Sequence, residues 1–336
     1  MKAVQVSAAG EDFEHVDQPI PDPGPEEVRI AVEACGVCGG DAVLKEGAYP
    51  GINYPHIPGH EIAGQIDVVG TDVEKWDIGD QVGVAWHGGH CFVCDPCRRG
   101  DFVNCENGSI TGITFDGGYA EYTTAPAEAL ARIPDELDAP AAAPLVCAGL
   151  TPFNSLRSSP AGSGDLVVIQ GIGGVGHMGV QIATAMGFET VAVSRGPAKE
   201  SLAFELGADH YLDANEQEPA VALQSMGGAD VILTTAPNAQ AIGSIAGGLK
   251  ENGQLLVIAE PHDPVELPLS QFIANRQSMQ AWNAGHARDA QDALEFCALH
   301  GIEPMIETYP LEDASRAFER MSTGNVRFRA VLLPGQ

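Results

Sequence analysis

Basic residues are scarce in this chain. Seventeen Lys and Arg, only five of them Lys, stand against 46 Asp and Glu in 336 residues, a formal net charge of −29 at pH 7. A surplus of that sign repels phosphate backbones and anionic lipid, which excludes nucleic acid and membrane surfaces as partners. Long apolar runs are missing too. No stretch of about 18 uncharged apolar residues occurs, so no membrane-spanning helix is expected. The first ten residues, MKAVQVSAAG, lack the apolar centre of an export signal. The expectation is a cytoplasmic protein, and one suited to high salt, where the Debye length shrinks from about 8 Å to about 3 Å at 1 M and relieves self-repulsion.

Apolar residues make up 44% of the chain, which is too many for an acidic disordered protein, and the length suits about two domains. The first 150 residues are rich in Gly and Pro, with short β-branched runs at 28–32, 66–69 and 81–85 between turn signals. That pattern predicts an irregular, mostly β unit. Near residue 165 the pattern changes. Residues 165–170, DLVVIQ, form a short apolar run of the kind buried on both faces of a parallel sheet. A helix is expected over 175–186, ended by Gly187. Further strands are expected at 190–194, 210–212, 231–235, 255–259 and 278–282, with helices such as 199–206 and 239–249 between most of them. Strand–helix alternation predicts right-handed βαβ units and a doubly wound parallel sheet of six strands. Helices at 287–300 and 313–321 and a closing strand at 327–333 complete the reading. The last strand is expected to return to the first unit.

Gly171, Gly173 and Gly176 form G-x-G-x-x-G, and Gly174 completes GxGGxG around Val175. The first glycine allows the tight turn, the second lets a pyrophosphate approach the backbone, and the third brings helix and strand together. The helix N-terminus then offers N–H groups to phosphates. Following a buried strand and opening a helix, the motif predicts a dinucleotide site. At the end of the next strand an NAD site wants an acid for the ribose hydroxyls. Here the residues are Ser194 and Arg195, with Lys199 soon after, so NADP(H) is favoured and NAD(H) is the alternative.

Four of the eight cysteines, Cys91, Cys94, Cys97 and Cys105, fall within fifteen residues as C-x2-C-x2-C-x7-C. Four thiolates suit a closed tetrahedral Zn²⁺ site, with an iron–sulfur cluster or buried free thiols as alternatives. Cys38, His60 and Cys147 are dispersed, and spacing alone does not bring them together.

In order along the chain, CGVCGGD (35–41), PGHE (58–61), GHCFVCDPC followed by NC, DGGYAEY (116–122), PLVCAGLTPF (144–153) and the GxGGxG unit resemble the zinc-dependent medium-chain alcohol dehydrogenases, microbial type. The resemblance runs from Cys35 to Arg329. It implies α/β plus β architecture: a GroES-like catalytic domain, residues 1–148 and 284–336, with an inserted Rossmann domain, residues 149–283, and an active site in the cleft between them. By the same resemblance Cys38, His60 and Cys147 are ligands of a catalytic zinc, and the four-cysteine run holds a structural one. Asp41 orients the ligand histidine, and Glu61 is an acid near the metal that assists ligand exchange. Thr151 lines the nicotinamide pocket and Arg329 binds pyrophosphate. Tyr49 and Trp86 fall where similar enzymes have aromatic pocket walls. The implied substrates are small primary alcohols and aldehydes, aliphatic or aromatic, and the implied assembly is a homotetramer, with a dimer as alternative.

The chain departs from the family pattern at three positions. Gly40 stands where a Ser or Thr usually touches the substrate oxygen, Gly39 replaces a frequent His or Arg, and Val43 replaces a second relay histidine. A water in the space beside Gly40 is the expected substitute. A polyol dehydrogenase of the same fold is opposed by Cys147, since such relatives commonly use Glu there. A catalytically impaired NADP-binding protein is opposed by the retained ligand set. His56, His87, His90 and His286 carry no expected role.

Overall fold

The computed structural model describes residues 1–335. The chain divides into two compact units, Met1–Leu150 with Ala284–Gln336, and Thr151–Asn283. The first boundary lies two residues beyond the expected 148/149.

The first unit is built on a seven-stranded sheet. Its longest strand, Glu27–Val37, pairs antiparallel with Glu61–Val69, Tyr122–Pro126 and Arg329–Leu333. Side chains of Glu27–Val37 alternate between buried and half-buried as far as Val32, as a one-sided strand should, and then become almost wholly buried from Ala34. That buried end is where both flanking strands meet it. Gly36 lies opposite Glu61 on one side and Val331 on the other. Ile30, Ile62, Ile66, Val82, Val84 and Tyr119 contribute to the core beneath the sheet. A hairpin, Lys2–Val6 with Phe13–Asp17, was not legible in the sequence. The closing strand begins at Arg329 rather than 327, because Phe328 and Arg329 both donate their N–H groups to Met305 O and Arg327 N–H turns to Glu307.

The second unit is a six-stranded parallel sheet. From edge to edge it runs His210–Asp213, Glu189–Ser194, Leu166–Gln170, Ala229–Thr234, Leu249–Val257 and Ser278–Ala281. In chain order this is 3-2-1-4-5-6, the doubly wound dinucleotide-binding arrangement. All five residues of Leu166–Gln170 are buried, as expected of a central strand with helices on both faces. Leu249–Val257 starts six residues earlier than the sequence suggests. Leu249 already pairs with Ala229, and the register shifts before Gln254 meets Val231. Asn252, at φ 61°, makes the turn that absorbs the extra residues.

Candidate active site and metal centres

Cys38 follows the buried end of Glu27–Val37, His60 precedes the strand Glu61–Val69, and Cys147 comes from a third element. That element is a π-helical turn, Leu145–Gly149, set between the helices Ala139–Pro144 and Leu150–Arg157. π-Turns inside helices are frequent at functional sites because the extra residue redirects one side chain. The structure brings all three residues together. The ligand atoms of Cys38, His60, Glu61 and Cys147 lie within 4.8 Å of one another. Cys38 Sγ is 4.0 Å from Cys147 Sγ, and Cys147 Sγ is 3.7 Å from His60 Nε2.

Contact with the Cys147 thiol, together with His60, holds Cys38 well below the usual thiol range, whereas contact with Cys38 and burial push Cys147 well above it. His60 Nδ1 meets Asp41 Oδ1 at 2.9 Å, which leaves Nε2 for the sulfur side. Burial disfavours the imidazolium, but Asp41 and Cys38 outweigh it and raise the His60 pKa well above its ordinary value. Two thiolates and an imidazole, with a carboxylate on the far nitrogen, are a donor set suited to Zn²⁺ with one position left for substrate.

Glu61 is wholly buried, and Oε1 accepts from Arg329 Nη2 at 2.5 Å while Oε2 has no hydrogen-bond partner among the described residues. Burial pushes its pKa up to about 7 against the pull of Arg329. Gly36 makes this geometry possible. A Cβ there would stand 1.9 Å from Glu61 Oε2, so only glycine lets the carboxylate cross to Arg329. Arg329 is 4% exposed and also donates to Val37 O at 3.2 Å, so it is an interior residue.

Trp86 packs edge-on against His60, ring centroids 4.8 Å apart at 87°. This arrangement corrects the expectation of a water beside Gly40. A Cβ on Gly40 would lie 2.8 Å from His60 Cε1 and 3.0 Å from Trp86 Cζ3, so two ring edges fill that space. Gly39, by contrast, is open within 4 Å. Tyr49 is exposed and lines a cavity of about 610 Å³ with His56 and Asp116, and none of the four clustered side chains lines that cavity. His286, assigned no role from sequence, caps the helix Ala287–His300 through a capping box with Asp289.

The second cluster joins Cys91, Cys94, Cys97 and Cys105, again within 4.8 Å. Backbone N–H groups of Cys91, Cys94 and Asn107 donate to its sulfurs at 3.3–3.4 Å. Asn107 Nδ2 and two backbone N–H groups pull the Cys91 thiol down to about 6, whereas desolvation and neighbouring sulfurs push Cys97 up to about 12. Phe92, at φ 60°, turns the chain so that Cys94 N–H faces back to Cys91 Sγ.

In the second unit, Gly171 takes φ 99° and a Cβ at Gly176 would meet Gly171 O at 1.8 Å, so both positions require glycine. A Cβ at Gly173 would touch no protein atom within 4 Å, the open position that lets a phosphate reach the backbone. Gly174 and Val175 complete the loop before the ten-residue helix Gly176–Ala185. Ser194 ends its strand, and Arg195 is exposed with no hydrogen bond or ion pair among the described residues. Asp213, the acid at the end of the next strand, is engaged by the N–H groups of Gly196 and Asn215. Lys199 donates to Ile172 O at 2.5 Å, so it bridges onto the glycine loop itself rather than standing free beside Arg195. Thr151 is buried in the helix Leu150–Arg157.

Comparison with known proteins agrees with this picture. Residues 24–135 match the alcohol dehydrogenase GroES-like domain and residues 174–298 the zinc-binding dehydrogenase domain. The chain is 44% identical over 316 residues to alcohol dehydrogenase notN of Aspergillus sp. (strain MF297-2), covering 94% of this chain and 93% of that one. It is 35% identical to the NADP-dependent alcohol dehydrogenase C of Mycobacterium bovis, over 93% and 92% of the two chains. Among solved structures, a cinnamyl alcohol dehydrogenase of Sorghum bicolor superposes with a TM-score of 0.89 at 28% identity, over 99% of this chain and 97% of its own. A cobalt- and zinc-bound thermostable alcohol dehydrogenase of Pyrobaculum aerophilum gives 0.89 at 30%, over 99% of each. An NAD-dependent alcohol dehydrogenase gives 0.93 at 26%, over the whole of both. With such identity along nearly the full length of its relatives, the chain belongs to the zinc-dependent medium-chain alcohol dehydrogenase family.

Proposed function

We propose that this alcohol dehydrogenase interconverts primary alcohols, aliphatic or aromatic, with their aldehydes using NADP(H), at a zinc held by Cys38, His60 and Cys147. A second zinc, held by Cys91, Cys94, Cys97 and Cys105, is structural. The observation that carries the reading is the convergence of two thiols and an imidazole within 4.8 Å, with Asp41 on the far nitrogen of the ring.

When bound, the metal supplies Lewis-acid polarisation of the substrate oxygen, and the nicotinamide carries the hydride. The chain supplies orientation. Asp41 holds His60 by Nδ1, so that Nε2 is the nitrogen that would face a metal beside the two sulfurs. Arg329 holds Glu61 Oε1, and the carboxylate stays within 4.8 Å of the Cys38, His60 and Cys147 ligand atoms. Trp86, against His60, is the proposed aromatic wall of the substrate site, whereas Tyr49 lines a cavity apart from the ligand cluster. On the cofactor, Gly171, Gly173, Gly174, Val175 and Gly176 take the pyrophosphate, Thr151 meets the nicotinamide, and Ser194, Arg195 and Lys199 meet the ribose phosphate.

NADP(H) is supported by the absence of an acid after Val193, the unpaired Arg195 and the NADP-dependent mycobacterial relative. Turnover of a panel of primary, secondary and polyol substrates with NADPH and NADH tests the reading. Preference for primary alcohols and aldehydes with NADPH supports it, and preference for polyols or for NADH overturns it. The proposed assembly is a homotetramer, checked by light scattering.

A further inference from the structure

Asp41 is 1% exposed and has no Lys or Arg partner among the described residues. A carboxylate removed from water needs donors for its lone pairs, or its burial is costly. Asp41 has three. Oδ1 faces His60 Nδ1 at 2.9 Å, and Oδ2 accepts from Cys38 N–H at 2.9 Å and from the Tyr119 hydroxyl at 3.0 Å. Tyr119 is 0% exposed, and its hydroxyl donates to Asp41 alone among the described residues. A buried phenol that spends its one donor on the acid behind a ligand histidine is a specific placement.

The ring is clamped where it lies. Tyr119 N–H donates to Pro58 O and Gly118 N–H to Gly59 O, which stitches this segment along the loop that carries His60. A Cβ at Gly59 would come within 2.5 Å of Tyr119 Cδ1, so the glycine before His60 makes room for this ring. Gly59 also takes φ 106°, which no other residue adopts easily. Tyr119 is thus joined to the surroundings of His60 by two routes, its backbone bond to Pro58 and its hydroxyl bond to Asp41.

We propose that Tyr119 is a positioning residue of the metal site. Its hydroxyl and the Cys38 N–H pin Asp41 Oδ2, so that Oδ1 stays on His60 Nδ1 and fixes both the tautomer and the tilt of the ring. The proposal rests on the reading that His60 is a zinc ligand. Partners of ligand histidines tune metal affinity by about 10–100-fold, and a group one bond further out should act in the same direction and more weakly.

The test uses the full chain with cobalt in the Cys38–His60–Cys147 site and zinc kept by the four-cysteine cluster. Wild type, Tyr119→Phe and Asp41→Asn are compared by their cobalt d–d spectra and by chelator competition. Phenylalanine keeps the ring and removes only the hydroxyl. The expected result is displaced d–d bands and about three- to tenfold weaker cobalt binding in Tyr119→Phe, with a larger change of the same kind in Asp41→Asn. Wild-type bands and affinity in Tyr119→Phe, with Asp41→Asn altered, would reduce Tyr119 to packing and overturn the proposal. Failure of the wild type to take cobalt at this site, or an unaltered Asp41→Asn, would overturn the ligand assignment and the proposal with it.

Discussion

Replacing Gly36 with alanine adds one methyl group at the point where the buried ion pair crosses the sheet. The new carbon would stand 1.9 Å from Glu61 Oε2 and 2.9 Å from Glu61 Cβ and Cδ, so the carboxylate must leave its position. Gly36 has no positive φ, so the backbone accepts alanine and the whole cost is steric. Glu61 and Arg329 are 0% and 4% exposed, and displacing one partner leaves the other charge buried without compensation. Breaking such a pair costs about 3–5 kcal/mol. Urea unfolding followed by tryptophan fluorescence reads this directly, because Trp76 and Trp86 both lie in the first unit. Gly39→Ala is the control. Nothing lies within 4 Å of its added Cβ, and removing a glycine from the unfolded ensemble should leave stability within about 1 kcal/mol of wild type. A Gly36→Ala protein within about 1 kcal/mol of wild type would refute the account of Gly36 as the slot for Glu61.

Other perturbations have equally definite outcomes. Arg195→Ser should raise KM for NADPH severalfold and leave KM for NADH nearly unchanged, and equal effects on both would remove Arg195 from the ribose phosphate. Desolvation, with His87 and His286 nearby, pulls the His90 pKa down to about 4, so the folded chain keeps that ring neutral where the unfolded chain protonates it. Its contribution is complete above about pH 6.5 and is lost as pH falls towards 4. His90 stacks on Phe102 at 4.1 Å, so His90→Phe should preserve packing and flatten this acid limb in pH-dependent urea midpoints. An unchanged limb would contradict the assignment. The net charge divides as −18 over residues 1–148, −8 over 149–283 and −3 over 284–336. Raising NaCl from 0.1 to 1 M, which shortens the Debye length from about 10 Å to about 3 Å, should raise the melting temperature and lower KM for the dinucleotide. A protein most stable and active in dilute buffer would defeat that expectation.

The parallel sheet was legible because buried strands and glycine-ended helices leave strong local signals: residues 165–170 and the GxGGxG turn place its first βα unit before any tertiary fact is known. The four-cysteine cluster was legible for the same reason, since its ligands are close in sequence. The convergence of Cys38, His60 and Cys147 was not, because 109 residues separate the two sulfurs and only the sheet register and the π-turn Leu145–Gly149 join them. Resemblance supplied what spacing did not. The sequence was silent on Gly36, whose role depends on the residue across the strand, and on Tyr119, which stands in the DGGYAEY motif without a chemical cue of its own. The Gly-Gly before Tyr119 was the available signal: added Cβ atoms there would meet Gly59 O at 2.3 Å and Ile62 Cγ1 at 2.6 Å, so this segment must lie against the PGHE loop. Position 40 misled because an absent side chain reads as a gap in one dimension, whereas Trp86 and His60 close over it in three.

Zinc stoichiometry of wild type, Cys38→Ser and Cys97→Ser, measured beside alcohol turnover, tests the central claim most directly. Two zinc ions per wild-type chain are expected. Cys38→Ser should keep one zinc, in the four-cysteine cluster, and lose turnover. Cys97→Ser should lose the other zinc and destabilise the 91–105 lobe. A Cys38→Ser protein that still holds two zinc ions, or still turns over alcohol at the wild-type rate, would contradict it.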